Sequence, residues 1–271
     1  MTEENKDSAS ALMRFEKIAL EAERDVAYES IDYQVSRGSR NDSNSNQRFN
    51  QKLYALYPLQ MITILDIGCG GGAFVRTCID DGQIAVGIEG NDFSKRVGRR
   101  DWRSIPDFLF TCDATHPFQF KIHLDGVQQD LQFDVVTSWE FIEHIADDDI
   151  SKVAENVKRH LKEGGLWILS ANTGNDFRCG HNFHLAVHDE PWWRRTFEDL
   201  GFTVLPEVVA YFNNQFVRGP KNTPNSFVLA LTLHPDHVPQ THPAPWTTRL
   251  MDRWLDSKWQ RRVKNVVLGY S

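Results

Sequence analysis

Cysteine is scarce in this sequence and never occurs in a closely spaced pair. No two of the four cysteines form a C-x-x-C motif, and they are Cys69, Cys78, Cys112 and Cys179. This spacing disfavours a zinc knuckle. Scattered cysteines of this kind are typical of reduced thiols, and we therefore expect a cytoplasmic protein.

Long apolar runs and an excess of positive charge are also lacking. No stretch of about 18 apolar residues occurs, so we expect no transmembrane segment. The first ten residues, MTEENKDSAS, contain no apolar core of a secretory signal. The 30 Lys and Arg against 37 Asp and Glu give a formal net charge of −7. Unaided nucleic-acid binding, which requires a basic surface, is disfavoured, although a local basic patch stays open.

The 271 residues suffice for one large domain with added segments at its ends. Residues 1–60 open with a helix-like pattern from Ala11 to Tyr28, which predicts a helical N-terminal cap or lid. Strand-like and helix-like segments alternate over residues 61–234. This alternation predicts an α/β fold with a mostly parallel sheet and helices on both faces. Residues 235–271 form a C-terminal tail.

Three shorter segments carry predictions of their own. QRFNQKLYALY, residues 47–57, is predicted as a short helix before the first strand of the sheet. FTVLPEV, residues 202–208, and SFVLALTLH, residues 226–234, are predicted as the final strands.

The tail has an amphipathic and basic pattern. Apolar residues recur at every fourth position, namely Met251, Leu255, Trp259 and Val263. The polar side carries five cations, namely Arg253, Lys258, Arg261, Arg262 and Lys264. This pattern favours a helix that packs on its own domain. A helix that contacts a membrane surface or a partner protein stays open.

Four glycines follow a strand-like run in ILDIGCGGGAF, residues 64–74. Glycines let the backbone approach a ligand closely, and open α/β sheets bind ligands at the carboxyl ends of their strands. Gly68–Ala73 fits the dinucleotide fingerprint G-x-G-x-x-G/A, which directs backbone N–H groups at a pyrophosphate. The carboxylate of Asp66, two residues ahead, favours instead a ligand with positive charge.

Four segments, in order, resemble the motifs of class I S-adenosylmethionine-dependent methyltransferases over roughly residues 62–233. They are LDIGCGGG, VGIEG, TCDAT and FDVVTSWEFIEHI. The resemblance implies a Rossmann-like, doubly wound, mostly parallel seven-stranded sheet that binds S-adenosyl-L-methionine. The implied cofactor-binding residues are Asp66, Gly68, Gly70 and Gly72 for the methionine part, Glu89 for the ribose, and Asp113 with Ala114 for the adenine.

Two acids and a histidine follow the fourth strand: Glu140, Glu143 and His144. On a helical turn they would share one face and could hold a divalent cation such as Mg²⁺. The segment resembles the E-x-x-E-H stretches of ubiquinone-biosynthesis O-methyltransferases, and of small-RNA 2′-O-methyltransferases in which such residues bind metal. The resemblance makes these three residues tentative metal ligands. A metal-free role for His144 toward substrate and a purely structural use stay open.

A histidine-rich segment, HNFHLAVHDEPWW, offers His181, His184 and His188 as candidates for a further ligand. We predict that His184 is catalytic, together with His144. His184 follows the fifth strand, at the sheet edge where substrates bind. Its neutral imidazole is suited to accept a proton near neutral pH.

We therefore expect methyl transfer to a small polar acceptor. A hydroxyl group of a sugar or another small metabolite is favoured, and such a group needs a base or a metal to lose its proton. Two alternatives stay open. One is an RNA 2′-O-methyltransferase with a Glu-Glu-His metal site, and the other is a non-catalytic cofactor-binding regulator that acts through the tail.

Overall fold

The structure is a computed structural model that describes most of the chain. It describes residues 15–35, 43–124, 126–221, 223, 225–242 and 245–255. The strands in these residues are β1 (Phe15–Ala22), β2 (Thr63–Ile67), β3 (Ile84–Glu89), β4 (Leu109–Thr111), β5 (Phe118–Leu124), β6 (Val127–Asp130), β7 (Phe133–Trp139), β8 (Leu161–Asn172), β9 (Phe177–Arg178), β10 (His181–Asn182), β11 (Thr203–Val204) and β12 (Ser226–Thr232). The α-helices are α1 (Ile31–Gln34), α2 (Gln47–Ala55), α3 (Ala73–Asp80), α4 (Phe93–Arg96), α5 (Ile150–His160), α6 (Glu190–Asp199), α7 (Pro206–Phe212) and α8 (Trp246–Leu255).

A seven-stranded sheet forms the centre of the described residues, in the order β11-β12-β8-β7-β2-β3-β4. The pairs β2–β3, β2–β7, β3–β4 and β7–β8 are parallel, whereas β12 runs antiparallel to β8 and β11. The strand order reverses between β2 and β7, where open α/β sheets bind ligands. The predicted Rossmann-like, mostly parallel seven-stranded fold is confirmed.

Both faces of this sheet are covered, because successive residues of a strand point to opposite sides. In β7, Val135 packs with the apolar side chains of α2, α3 and α7, and Val136 packs with those of α5 and α6. Both valines are fully buried. The sheet therefore separates two hydrophobic cores and holds its carboxyl edge rigidly.

The N-terminal segment corrects the prediction of a helix from Ala11 to Tyr28. Residues 15–22 form β1, which pairs antiparallel with β5 in a second, three-stranded sheet with β6. Ile18, Leu20 and Ala22 alternate with more polar positions and pack toward the core, so the period of two prevails once β5 supplies a partner. Residues 11–14 lie outside the described part of the chain.

Two other segments test the predicted elements. The helix predicted over residues 47–57 is present as α2, whose Phe49 and Leu53 are fully buried. FTVLPEV is a strand only at residues 203–204, because α7 begins at Pro206, in the first helical turn where proline is favoured. The division of the chain at residues 60 and 234 stays a prediction.

The tail contributes α8 to the described residues, and residues 256–271 lie outside them. The positions Trp259 and Val263 and the cations from Lys258 to Lys264 therefore have no structural counterpart here. In the part of the chain that the structure describes, no helix combines the length and apolarity needed to cross a bilayer.

Candidate functional site

A cavity of about 420 Å³ opens at the carboxyl edge of the central sheet. Residues at or just beyond the ends of β2, β3, β4, β7 and β8 line it, together with residues that precede and include α1. We refer to Gly68, Gly70, Glu89, Asp113 and Ala114 as the glycine-turn side. We refer to Asp32, His144 and His184, which also line the cavity, and the fully buried Glu143, which does not, as the histidine side.

The turn after β2 is fixed by its own backbone. Gly68 and Gly70 have φ of 77° and 54°, and both line the cavity. The N–H groups of Gly68 and Cys69 donate to the Ile88 carbonyl at 2.9 and 3.0 Å. A Cβ on Gly68 would lie 2.8 Å from Cδ2 of Phe141. Glycine is therefore required at position 68 by both conformation and space.

Gly72 has a different role from that of the two glycines before it. It is the N-cap of α3 with φ 86°, and a Cβ there would lie only 2.5 Å from Cδ1 of Leu109. It is not among the residues that line the cavity. The structure shows Gly72 allowing close packing between α3 and β4, and a contact between Gly72 and a ligand stays a prediction.

Asp66 lies beneath the turn and is only 2 % exposed. Thr137 Oγ1 of the neighbouring β7 donates to Asp66 Oδ1 at 2.7 Å. Burial raises the pKa of Asp66 to about 7, although the Thr137 hydrogen bond opposes that change. Asp66 does not line the cavity. Its predicted contact with a cofactor stays a prediction, and the structure shows its bond to β7.

Glu89 ends β3 and lines the cavity. Its Oε2 accepts from the N–H of Gly70 at 2.9 Å, so the carboxylate also braces the glycine turn. Burial raises the pKa of Glu89, and the bond from Gly70 opposes that change. The second carboxylate oxygen accepts a long bond, 3.4 Å, from the Asn91 N–H. A pair of ligand hydroxyls would satisfy this carboxylate.

Asp113 and Ala114 follow β4 and also line the cavity. Asp113 Oδ1 accepts from the Thr115 N–H at 3.0 Å, and Oδ2 lies 3.2 Å from Nδ1 of His116. Asn156 of α5 supports this loop from below, because its Nδ2 donates to the carbonyls of Ala114 and His116 at 3.0 and 2.8 Å. The structure thus brings Gly68, Gly70, Glu89, Asp113 and Ala114 to one cavity.

Glu143, His144 and His184 converge in a second group of residues. One ligand atom from each of these residues lies within 4.8 Å of the others, in a group that could hold a metal ion. Glu143 is fully buried, and its Oε1 accepts from the Asn172 N–H at 3.1 Å. Its Oε2 has no hydrogen-bond partner among the described residues. Burial raises the pKa of Glu143 to about 8.

His184 is positioned by a contact of its ring and by the backbone hydrogen bonds of the two residues that follow it. The N–H groups of Leu185 and Ala186 donate to the Glu143 carbonyl at 2.7 and 3.0 Å, which joins this loop to the segment after β7. Nδ1 of His184 lies within hydrogen-bond distance of the Gly174 carbonyl and donates to it as the Nδ1–H tautomer. Nε2 then keeps its lone pair. Burial lowers the pKa of His184.

His144 meets a partner that the sequence did not indicate. Its Nδ1 lies 2.9 Å from Oδ2 of Asp32 in α1, an ion-pair distance without the alignment of a hydrogen bond. Burial by itself would lower the pKa of His144, but Asp32 outweighs it and the pKa is raised to about 9. The rings of His144 and His184 are 5.0 Å apart, edge to face.

Asp32 belongs to a segment that is fastened to the glycine-turn side. The Ala27 N–H donates to the Gly90 carbonyl at 2.9 Å, and Nδ2 of Asn91 donates to the Asp32 carbonyl at 2.9 Å. The segment around α1 therefore connects the two sides of the cavity. No local motif marks Asp32, because its role depends on a contact with residue 144, far along the chain.

Glu140 is not part of the group formed by Glu143, His144 and His184. Its backbone is left-handed, with φ 51°, and residues 142–144 form only a single 3₁₀ turn. The regular helix that would place residues 140 and 143 on one face is therefore absent from this loop. Glu140 lines the cavity, and its Oε1 accepts from Ser226 Oγ.

The remaining histidines of the predicted set lie elsewhere. His181 is exposed on β10, and His188 lies 2.9 Å from Asp147 and stacks on Trp192 at 3.6 Å. Trp139, which ends β7, does line the cavity. Of the three candidates in the histidine-rich segment, only His184 joins the group.

Sequence reasoning also missed the polar residues around the histidine side. They line the cavity and comprise Asn172, Asn175, Asp176, Arg178, Arg218 and Asn225. The loop after β8 and the start of β12 meet here, because the Thr173 N–H donates to the Asn225 carbonyl at 2.9 Å. The turn-forming residues in SANTGND and KNTPNS are a signal for loops, but they do not show that the two loops meet.

Comparisons with known proteins give a family and distant relatives. A family model described as a methyltransferase domain matches residues 42–216. The ubiquinone biosynthesis O-methyltransferase of Roseobacter denitrificans is 30% identical over 127 residues, which are 47% of this chain and 48% of the relative. The enzyme of the same name from Bartonella quintana is 24% identical over 124 residues, 46% and 47% of the two chains. The chain spans about half the length of the curated relatives it matches.

Two solved structures are similar to the chain at low sequence identity. The PH0226 protein of Pyrococcus horikoshii OT3 has 18% identity and a TM-score of 0.49, covering 73% of this chain and 98% of its own. An S-adenosylmethionine-dependent methyltransferase from Clostridium acetobutylicum has 13% identity and a TM-score of 0.48, covering 69% and 90%.

Proposed function

The chain belongs to the methyltransferase-domain family, and we propose that it transfers a methyl group from S-adenosyl-L-methionine to a hydroxyl group of a small polar acceptor. One observation carries this proposal: the glycine turn, the carboxylates of Glu89 and Asp113 and the imidazole of His184 all line one cavity. The transferred group and the proton acceptor are thereby proposed to meet at one edge of the sheet.

The glycine-turn side fits a cationic nucleoside cofactor. Gly68 leaves space where a side chain would collide with Phe141, and Glu89 and Asp113 offer carboxylates on the cavity wall. Glu89 would hold the ribose hydroxyls, and Asp113 with Ala114 the adenine. An anionic pyrophosphate would meet these acids at an electrostatic disadvantage, which disfavours a dinucleotide.

When bound, this cofactor supplies an electrophilic methyl group on a sulfonium centre. The chain has to orient the acceptor and take its proton. His184 is placed for the second task, because Nδ1 donates to Gly174 and leaves the Nε2 lone pair to accept the hydroxyl proton. Asp32 holds the neighbouring His144 at 2.9 Å, which fixes the wall on which the acceptor rests.

The polar lining of the histidine side supports a hydroxyl-rich acceptor. Asn172, Asn175 and Asn225 line the cavity and offer both donors and acceptors. Arg178 and Arg218 add cationic donors. Sugar-like molecules present hydroxyl groups that match such a polar surface, whereas a long apolar chain would lose its hydrophobic contacts without gaining hydrogen bonds there.

A divalent cation defines a second candidate for the same site. Glu143, His144 and His184 would be its ligands, and the buried Glu143 Oε2 without a partner is the observation that favours it. Carboxylate and imidazole together suit several divalent metals. A cation there would lower the pKa of an acceptor hydroxyl and assist its deprotonation. The RNA 2′-O-methyltransferase alternative rests on a Glu-Glu-His metal site, of which Glu143 and His144 belong to this group and Glu140 does not.

The test is methyl transfer from isotopically labelled cofactor to panels of sugars, phenols, amines and short RNAs, followed by mass spectrometry. We expect labelled ether products from sugar-like hydroxyl compounds and none from RNA. Parallel reactions after exhaustive chelation distinguish the two candidates, since activity that returns only with added Mg²⁺ supports the cation. Transfer exclusively to amines or to RNA contradicts the proposed acceptor.

A further inference from the structure

Helix α8 buries one acidic side chain and exposes two large apolar side chains. Asp252 is only 1 % exposed, whereas Trp246 and Leu250 are 69 % and 56 % exposed. A surface helix of a globular protein normally has the opposite arrangement, with its apolar side inward. For these three residues the arrangement is reversed, and the exposure of the two large apolar side chains needs a cause.

The cause is a buried cluster of charges. Asp252 Oδ1 lies 2.8 Å from Nε of Arg48, and Oδ2 lies 2.7 Å from Nζ of Lys52, both cations belonging to α2. Lys52 is itself 5 % exposed, and Nδ2 of Asn213 reaches Asp252 Oδ2 at 3.4 Å. A carboxylate so enclosed loses its partners if the helix rotates. The cluster therefore fixes which side of α8 points outward.

The helix geometry places the two apolar residues on the far side. Each residue of an α-helix advances by about 100°, so Trp246 and Leu250 lie nearly above one another. Asp252 follows Leu250 by two residues and hence lies about 160° away from it. Arg249, which is exposed, adds a cation beside the outward apolar pair. Tryptophan next to arginine is a combination favoured at the boundary between lipid headgroups and acyl chains.

The tail and the rest of the chain carry net charges of opposite sign. Residues 246–271 contain six Lys and Arg and two Asp, a net charge of +4, and the whole chain carries −7. The remaining residues therefore carry −11, since −7 minus +4 is −11. An anionic surface attracts the tail and repels the rest of the chain. Binding through α8 would therefore orient the domain with α8 toward that surface.

From these observations we propose that α8 docks on the surface of an anionic phospholipid bilayer, with Trp246 and Leu250 inserted between the headgroups. Apolar insertion and basic charge are the two signals that stable peripheral binding requires. Nucleic acid would satisfy the charge but not the two exposed apolar side chains. The inference does not depend on the chemistry of the cavity.

The experiment is flotation of the full chain with vesicles of phosphatidylcholine alone or mixed with phosphatidylglycerol. We expect binding only to the mixed vesicles, and weaker binding at high salt because surface charges are screened. The double variant W246S/L250S should bind at least about tenfold more weakly, since two large apolar side chains no longer insert. Val127→Ser, at a 64 % exposed valine on β6, is the matched control and should bind like the unmodified chain.

A charge variant keeps the proposal testable if the double variant folds poorly. Arg249→Glu leaves the apolar pair intact and should weaken binding about fivefold or more. Melting curves establish that each variant is folded. Equal binding to both vesicle types, or none to either, overturns the proposal. A change of the double variant in light scattering alone, without any vesicle binding, would show that this side binds protein and would equally overturn it.

Discussion

The two sides of the cavity are built in different ways. The glycine-turn side comes from residues 68–114, in which neighbouring strands deliver their carboxyl ends one after another. The histidine side joins Asp32 in α1, the segment after β7 and His184 in the segment after β10. The first side is fixed mainly by backbone conformation and backbone hydrogen bonds, and the second by contacts between segments far apart in sequence.

This difference has a functional meaning within the family. A nucleoside cofactor presents the same groups to every member, so a local motif suffices to bind it. Acceptors differ, and loops assembled from distant segments can change without disturbing the sheet. If the two sides have separate tasks, substitutions should separate cofactor affinity from turnover.

The largest expected effect is on turnover, from the histidine side. His184→Ala should lower kcat by about 10³-fold, because proton removal from the acceptor loses its base. The Kd for the cofactor should stay within about twofold of the unmodified protein, since His184 is not among the residues proposed to hold the cofactor. His181→Ala, at an exposed histidine three residues earlier, is the control and should leave kcat unchanged. Calorimetry measures the Kd and single-turnover assays measure the rate of methyl transfer. An equal loss in both would contradict separate tasks for the two sides.

The next effect is on cofactor affinity, from the glycine-turn side. Gly68→Ala should weaken binding about 300-fold, because alanine is strained at φ 77° and its Cβ would press on Phe141. Gly126→Ala has the same φ of 77° and no described atom within 4 Å of the added Cβ, so it isolates the backbone strain. That control should lose about 1 kcal/mol of stability and no cofactor affinity. If Gly68→Ala and Gly126→Ala bound the cofactor equally well, the proposed role of the glycine turn in cofactor binding would be contradicted.

The dependence of stability on acidic pH tests the role of His160, the last residue of α5. Burial lowers the pKa of His160 to about 4, although its bond to the Asn156 carbonyl opposes this change; Arg159 lowers it further and Asp130 raises it. The unfolded chain therefore binds a proton below about pH 6.5 while the folded chain does not. The free energy of unfolding should fall by about 3 kcal/mol between pH 6.5 and pH 4 on this account.

The control for that prediction replaces the titrating ring with a neutral amide. His160→Gln should reduce the acid-dependent loss, measured by urea unfolding at several pH values. His123, which is partly exposed on β5, offers a matched substitution, His123→Gln, that should leave the loss unchanged. Identical pH profiles for all three proteins would show that His160 does not set the acid sensitivity.

The smallest effect concerns the connection between the two sides. Asp32→Asn removes the charge beside His144 and should lower kcat/KM about tenfold, because the ring loses the partner that orients it. Glu29→Gln, in the same segment at an exposed ion pair with Arg24, should change kcat/KM by less than about twofold. Steady-state kinetics with a responsive acceptor measure both. If Asp32→Asn lost cofactor affinity instead, Asp32 would act in cofactor binding, with the glycine-turn side.

The sequence predicted the part of the molecule that local patterns control. Alternating strands and helices predicted the central sheet, and the turn after β2 lies at its carboxyl edge as expected. The N-terminal strand was not predicted. Its short amphipathic sequence fits the two-residue period of a strand as well as it fits a helix, and the pairing with β5 decides between them. The antiparallel β5–β6 hairpin was missed for the same reason.

The candidate site was predictable in proportion to how local its contacts are. Glu89, Asp113 and Ala114 line the cavity because each closes or follows a strand of one sheet. The helical-face argument for Glu140 failed, since a single left-handed residue redirects its side chain to Ser226. Asp32 and the asparagines reach the cavity through pairings that no spacing in the sequence encodes.

Cofactor binding by the glycine-turn side is the central claim, and isothermal titration calorimetry tests it most directly. The folded protein is titrated with S-adenosyl-L-methionine, with its demethylated product and with a nicotinamide dinucleotide. The account predicts saturable heat with the first two ligands, none with the third, and loss of that heat in Gly68→Ala but not in His184→Ala. Saturable heat with the dinucleotide alone would contradict it.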